Sequence, residues 1–130
     1  MSYWKSEVIE MTPGQSIRCV GVIAEDLEVF KDHFPDFPVL PGVLALDILR
    51  ECVSLCESAD RGDSKNLLPL SLLEAVKFQH FLRPGERWEG RADKVSPGSK
   101  SFWKVQLSVQ DRIAVSARMC FNHDVLVREV

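Results

Sequence analysis

A single stretch of this chain is long and regular enough to form a packed helix. From Gly42 to about Ser58 the sequence GVLALDILRECVSLCES holds no glycine or proline after its first residue, and apolar side chains sit nearly all round its first two turns. At 1.5 Å per residue it spans roughly 25 Å. Almost everything else reads as strand. One helix among many strands leaves few solutions: an antiparallel sheet with one buried face, covered by that helix packed across it.

The strands are read from turn chemistry and alternation. Tyr3 to about Ala24 is interrupted by TPGQ at 12–15, which predicts a hairpin. EDLEVFKDHF follows as a short helical turn, stopped by prolines at 35, 38 and 41. After the helix, ADRGDSKN is a polar loop, and the rest is strand-like. In LSLLEAVKFQHF, Leu72, Glu74, Val76, Phe78 and His80 are expected on one face and Leu73, Ala75, Lys77, Gln79 and Phe81 on the other. RPGE and SPGSK mark turns. Trp103, Val105, Leu107 and Val109, then Ile113, Val115, Ala117, Met119 and Phe121, alternate with other residues, which predicts a meander with one buried face. Five or six antiparallel strands result, in one domain spanning residues 1–130, an α+β fold.

Composition narrows the function. With a formal net charge of -3 the chain has no global pull toward nucleic acid or an anionic membrane. The absence of an apolar run of about 18 residues, and the charges Lys5, Glu7 and Glu10 near the start, predict a cytoplasmic protein. Cys19, Cys52, Cys56 and Cys120 lack metal-ligand spacing, so neither a metal nor a disulfide is expected; Cys52 and Cys56, one helical turn apart, read as small buried hydrophobes. Lys77, Arg83, Arg87, Arg91 and Lys94 form no continuous basic run, because Glu86, Glu89 and Asp93 interrupt them.

The chemistry gathers around the helix start. Pro41 has no N–H to lose at a helix's first turn, and Gly42 has no side chain, so a ligand can approach the unpaired amides of Gly42 and Val43 and the positive end of the dipole. His33, with a reference pKa of about 6.5, can accept a proton near neutrality, although a flanking Asp32 or Asp36 would favour its charged form. Asp47 admits two readings. Asp47, Arg50, Glu51, Ser54 and Ser58 make a polar stripe fit for solvent, yet Val43, Leu44, Leu46 and Ile48 around Asp47 are apolar, and burial there would keep its carboxyl protonated. Glu51, one turn on, would titrate jointly with it and tune it. Pro35, Pro38 and Pro41 also fit one edge of a polyproline II ligand. His80 and His123 show no partner pattern and read as structural.

HFPDFPVLPGVLALD, residues 33–47, resembles the HFPxxPxxPGxxxx(E/D) motif of the hotdog-fold 3-hydroxyacyl-acyl carrier protein dehydratases, the FabA/FabZ family. VKFQHFLRPGERWEGRADKV resembles that family's strand–turn–strand segment, and SFWKVQLSVQDRIAVSARMCF its closing hairpin, so similarity covers roughly residues 15 to 121. Three positions depart from the pattern: Asp47 is the aspartate version of the acid, Asp36 stands where glycine is common, and Glu51 replaces a glutamine thought to orient the acid.

The resemblance implies a central helix wrapped by an antiparallel sheet, and a homodimer with active sites at its interface. It implies His33 as the base at C2 of a 3-hydroxyacyl chain and Asp47 as the acid at the C3 hydroxyl. Gly42, with Pro41 and Val43, would bind the thioester. The implied partner is an acyl carrier protein bearing a phosphopantetheine-linked chain, in fatty-acid or polyketide-like synthesis, and no further cofactor. Two rival readings stand beside it: a hotdog thioesterase in which Asp47 activates water, and a non-catalytic acyl-binding partner subunit, motivated by Asp36 and Glu51.

Overall fold

The computed structural model describes residues 6–27, 29–32, 38–62, 70–96 and 100–122. Along the chain run β1 (Ser6–Thr12), β2 (Ser16–Val22), a short α1 (Val29–Asp32), α2 (Gly42–Arg61), β3 (Leu70–Phe78), β4 (Arg87–Ser96), β5 (Lys100–Val109) and β6 (Arg112–Asn122). The six strands form one antiparallel sheet in the order β1-β2-β4-β5-β6-β3. The long helix is where the sequence places it, but it runs three residues past Ser58. Gly62, at φ 72, closes it by donating its N–H to the Ser58 carbonyl at 2.8 Å.

The sheet order corrects one expectation. β4, β5 and β6 form a meander, but β3 does not pair with the strand that follows it; it lies at the far edge, against β6. α2 lies across the buried face, with its amino end beside β3 and β6 and its last turns against the β1–β2 turn, where the Gly14 amide donates to the Cys56 carbonyl at 3.0 Å.

The face α2 buries follows helical periodicity: Ala45, Ile48, Leu49, Cys52, Val53 and Cys56 are all at most 2 % exposed. Opposite them lie the helix-side residues of the sheet, among them Ile17, Trp88, Trp103, Leu107 and Met119. Cys52 and Cys56 are thus packed as apolar residues. Cys52 shares a thiol hydrogen bond with Cys19 of β2, which with burial pushes Cys52 well above the ordinary thiol range and draws Cys19 down. The polar stripe is only half right. Asp47 is exposed and Arg50 and Glu51 are half-buried, but Ser54 and Ser58 are buried. Glu57, equally buried, faces the Lys94 ammonium at 3.3 Å beside Trp103.

A bulge in β3 overturns the alternation expected there. The register shifts between Glu74 and Lys77, and Ala75 adopts φ 54. Glu74 pairs with Arg118 and Lys77 with Ser116 on the outer face, whereas Phe78 pairs with Val115 on the helix side. Without the extra residue Phe78 would share the face of Glu74. An L-residue held in the left-handed region is strained, and glycine relieves it. Replacing Ala75 by glycine is therefore expected to stabilise the fold by about 0.5–1 kcal/mol, and Ala75→Val to destabilise it, as read by chemical denaturation.

Candidate active site

The amino end of α2 opens into a cavity of about 320 Å³. Pro41 precedes the helix with φ -57 and ψ 141, and no side chain caps the end. The first turn closes on the Pro41 carbonyl, which accepts from Leu44 at 3.0 Å and Ala45 at 3.3 Å. That leaves the amides of Gly42 and Val43 without an acceptor inside the helix, at the positive end of its dipole. Both residues line the cavity. In the approach segment Val39 and Leu40 are buried, at 3 and 5 % exposed, and Pro38 and Pro41 are half-buried; Pro35, the third proline of the polyproline reading, lies outside the described residues.

The opposite wall comes from the end of β3 and the residues after it. The Leu40 amide donates to the Leu82 carbonyl at 2.7 Å, and the amides of Gln79 and His80 both reach the Ala114 carbonyl, at 2.7 and 3.3 Å. These bonds bring Phe78, His80, Phe81 and Leu82 to the cavity. None was singled out as a site residue from sequence. The available signal was the segment VKFQHFLRPGE itself, but its strict alternation hid which side chains point to the helix. Among the lining side chains His80 is the one ionisable group; the others are apolar.

Gly42 is glycine for a steric reason. A Cβ built there would lie 2.5 Å from Cε1 and 2.7 Å from Cζ of Phe78, well inside contact distance. The ring packs directly on the first residue of the helix. Phe78 is nevertheless 57 % exposed, so its ring has room to swing outward.

Asp47 sits on α2 but is not part of the cavity lining; on the single chain its carboxyl is exposed, so the buried acid envisaged from its apolar neighbours is not formed within one chain. Glu51 is half-buried one turn further on. His33, Asp36 and His123 lie outside the described residues. A larger hollow of about 570 Å³ lies on the other face of the sheet, lined by Lys77, Arg91, Asp93, Lys104 and Arg118. It is separated from α2 by the sheet and crossed by ion pairs, Arg91–Asp93 at 3.1 Å and, at its edge, Arg118–Glu74 at 3.5 Å. The basic residues counted together in the sequence are thus split, since Lys94 turns to the helix side and pairs with Glu57. Among the described residues no group of three or more His, Cys, Asp or Glu could hold a metal ion, and no helix is long and apolar enough to cross a membrane.

Residues 10–118 match the family model of the ApeI-like dehydratases, described as ApeI dehydratase. The chain belongs to this family. It is 30% identical over 115 residues to the 3-hydroxyacyl-[acyl-carrier-protein] dehydratase FabZ of Levilactobacillus brevis, an alignment covering 88% of this chain and 78% of that one. The FabZ of Lactobacillus helveticus is 29% identical over 121 residues, with the same coverage of 88% and 78%. Among solved structures, the dehydratase heterocomplex ApeI:P from Xenorhabdus doucetiae superposes with a TM-score of 0.72 at 16% identity, covering 95% of this chain and 86% of that one. Zebra fish thioesterase superfamily member 2 gives 0.68 at 12%, covering 90% and 80%. These likenesses establish the fold as a hotdog.

The Phe78–Gly42 contact predicts a sign change. Gly42→Ala should destabilise the wild-type background by about 1 kcal/mol, because the ring must move. In a Phe78→Ala background the same substitution should be neutral or stabilising by up to about 1 kcal/mol, since alanine is the better helix former. A chemical-denaturation double-mutant cycle reads the difference.

Proposed function

We propose that this protein dehydrates 3-hydroxyacyl thioesters carried by an acyl carrier protein to trans-2-enoyl thioesters, and that it works as a homodimer with two shared sites. The observation that carries this reading is the incompleteness of the cleft on one chain. It offers a helix-terminal amide and apolar walls, while the acid, Asp47, faces away from it. A second copy can supply the missing group. β3 is an edge strand, and Leu72, Leu73, Val43 and Phe81 near it are 45, 38, 67 and 66 % exposed, an apolar margin that pairing of two sheets would cover.

In the proposed reaction the amides of Gly42 and Val43, next to Pro41, receive the thioester oxygen. His33 removes a proton from C2, and the electron pair spreads onto that oxygen, where the Gly42 N–H stabilises it. The pair then forms the C2–C3 double bond as the C3–O bond breaks, and Asp47 of the partner subunit protonates the departing hydroxyl to water. Exchange with solvent returns one proton to the acid and takes one from the imidazole. Glu51, one turn along α2, tunes Asp47 in this scheme.

FabZ relatives support the substrate class by their names, and the phosphopantetheine-linked chain on a carrier protein is part of the proposal. A second reading, that the chain is a partner subunit acting with a homologue, is favoured by the exposed acid and by a structural neighbour that is itself a heterocomplex. Hydration of a short enoyl thioester, followed by loss of its ultraviolet absorbance, decides. His33→Ala and Asp47→Asn should each lower kcat/KM by about 10²–10⁴ with the fold intact. Equal rates in all three proteins would exclude the pair, and release of free thiol instead would mark a thioesterase. Activity that appears only with a homologue added would mark the partner subunit.

A further inference from the structure

The cleft at the head of α2 has buried and exposed walls, and if it works as proposed above the two kinds face different ends of the substrate. Val39, Leu40, Ala45, Leu82 and Val115 are buried, at 5 % exposed or less. Val43, Phe78, His80 and Phe81 are exposed. An acyl chain carried on a protein has one end tethered in solvent, so its polar arm leaves across the exposed rim, away from the buried apolar walls. On that rim His80 is the one polar side chain.

Two contacts bracket its position. The Leu40 amide donates to the Leu82 carbonyl at 2.7 Å, and the Phe78 ring packs on Gly42, so residues 78–82 run beside residues 40–42 in the opposite direction. His80 is midway between Leu82 and Phe78, and Pro41 midway between Leu40 and Gly42. The histidine therefore lies beside the Pro41–Gly42 peptide, whose N–H is the proposed donor to the thioester oxygen. The bonds that hold it there are made by backbone, since the amides of Gln79 and His80 both reach the Ala114 carbonyl, and the imidazole itself is exposed in the cleft.

In the proposed scheme the thioester oxygen goes to Gly42 and the C3 hydroxyl to Asp47. The next polar group of a pantetheine-linked substrate is the first amide of the arm, joined to the sulfur through two methylenes. We infer that His80 hydrogen-bonds this amide, and so makes the site prefer pantetheine-type thioesters to plain alkyl ones. A neutral imidazole has one donor and one acceptor nitrogen, and an amide offers the complement of each. Between apolar walls an amide left without a partner costs free energy, which gives a lone polar side chain there its weight.

The test uses two crotonyl thioesters, one of N-acetylcysteamine, which carries that amide, and one of pentanethiol, in which methylenes take its place. Hydration of each is followed by loss of ultraviolet absorbance in wild type, His80→Phe and His80→Leu. The readout is the ratio of kcat/KM for the amide-bearing to the alkyl thioester. Dividing a variant's ratio by that of wild type cancels intrinsic reactivity and any change that touches both substrates alike. We expect this quotient to fall about fivefold or more in both variants, the weight of one hydrogen bond. Because His80 is exposed, both variants should keep the wild-type melting curve, and should one not, the other gives the result. A quotient within about twofold of unity in a folded variant, or loss of both activities together, would overturn the role of His80 and leave the dehydratase reading standing. A wild-type protein that hydrates neither thioester would overturn both.

Discussion

The burial of one helix face against the sheet is the constraint on which the rest of the molecule depends. Ala45, Ile48, Leu49, Cys52, Val53 and Cys56 form that face. The helix lies across the sheet with its amino end beside β3 and β6 and its carboxyl end at the β1–β2 turn. A helix start in such a place has unpaired amides next to apolar walls, which is what stabilisation of an oxyanion requires. The same register turns Asp47 away from the core. The position of the acid is thus a by-product of packing, and it makes a second chain part of the proposed chemistry.

The two faces of the sheet divide the labour. Among the described residues the helix side is largely apolar, with the Lys94–Glu57 pair and the buried Ser54 and Ser58 as polar groups. The outer side carries cross-strand rows of charge, with Arg18 between Glu10 and Glu89 at 3.7 and 3.1 Å, and Lys104 set between Asp93 and Arg118 in register. Pairs this exposed contribute little to stability, and their opposite signs largely cancel. The larger hollow on that side therefore lacks the features of a reaction site, namely apolar walls and a preorganised donor.

Much of this was legible in the sequence, for physical reasons. The helix is readable because its apolar residues recur at helical spacing without interruption, and β5 because it alternates over a buried face. β6 follows its expected face at Val115, Ala117, Met119 and Phe121, but Ile113, expected there too, is 39 % exposed and Ala114 is buried, beside a register shift at Leu107/Ser108. The Pro41–Gly42 start was readable from its chemistry. What was hidden depends on tertiary context. A bulge costs one residue and leaves no composition signal, so the side to which Phe78 points could not be read from alternation. His80 seemed to lack a partner because its neighbours come from the helix head and the Ala114 carbonyl, far away in sequence. The polar stripe looked solvent-facing along its whole length, yet Ser54 and Ser58 are buried. The pairing of β3 with β6 rather than β4 is likewise long-range, and alternation alone does not encode it.

The central claim, that each site draws its base and its acid from different copies of the chain, has a direct measurement. His33→Ala and Asp47→Asn are produced separately, each nearly inactive, then unfolded together at equal amounts and refolded, or co-expressed with different tags. Shared sites predict that activity returns to about a quarter of wild type, since half of randomly paired dimers are mixed and each of those keeps one intact site of two. A mixture no more active than its components, although mixed dimers have formed, would contradict the claim.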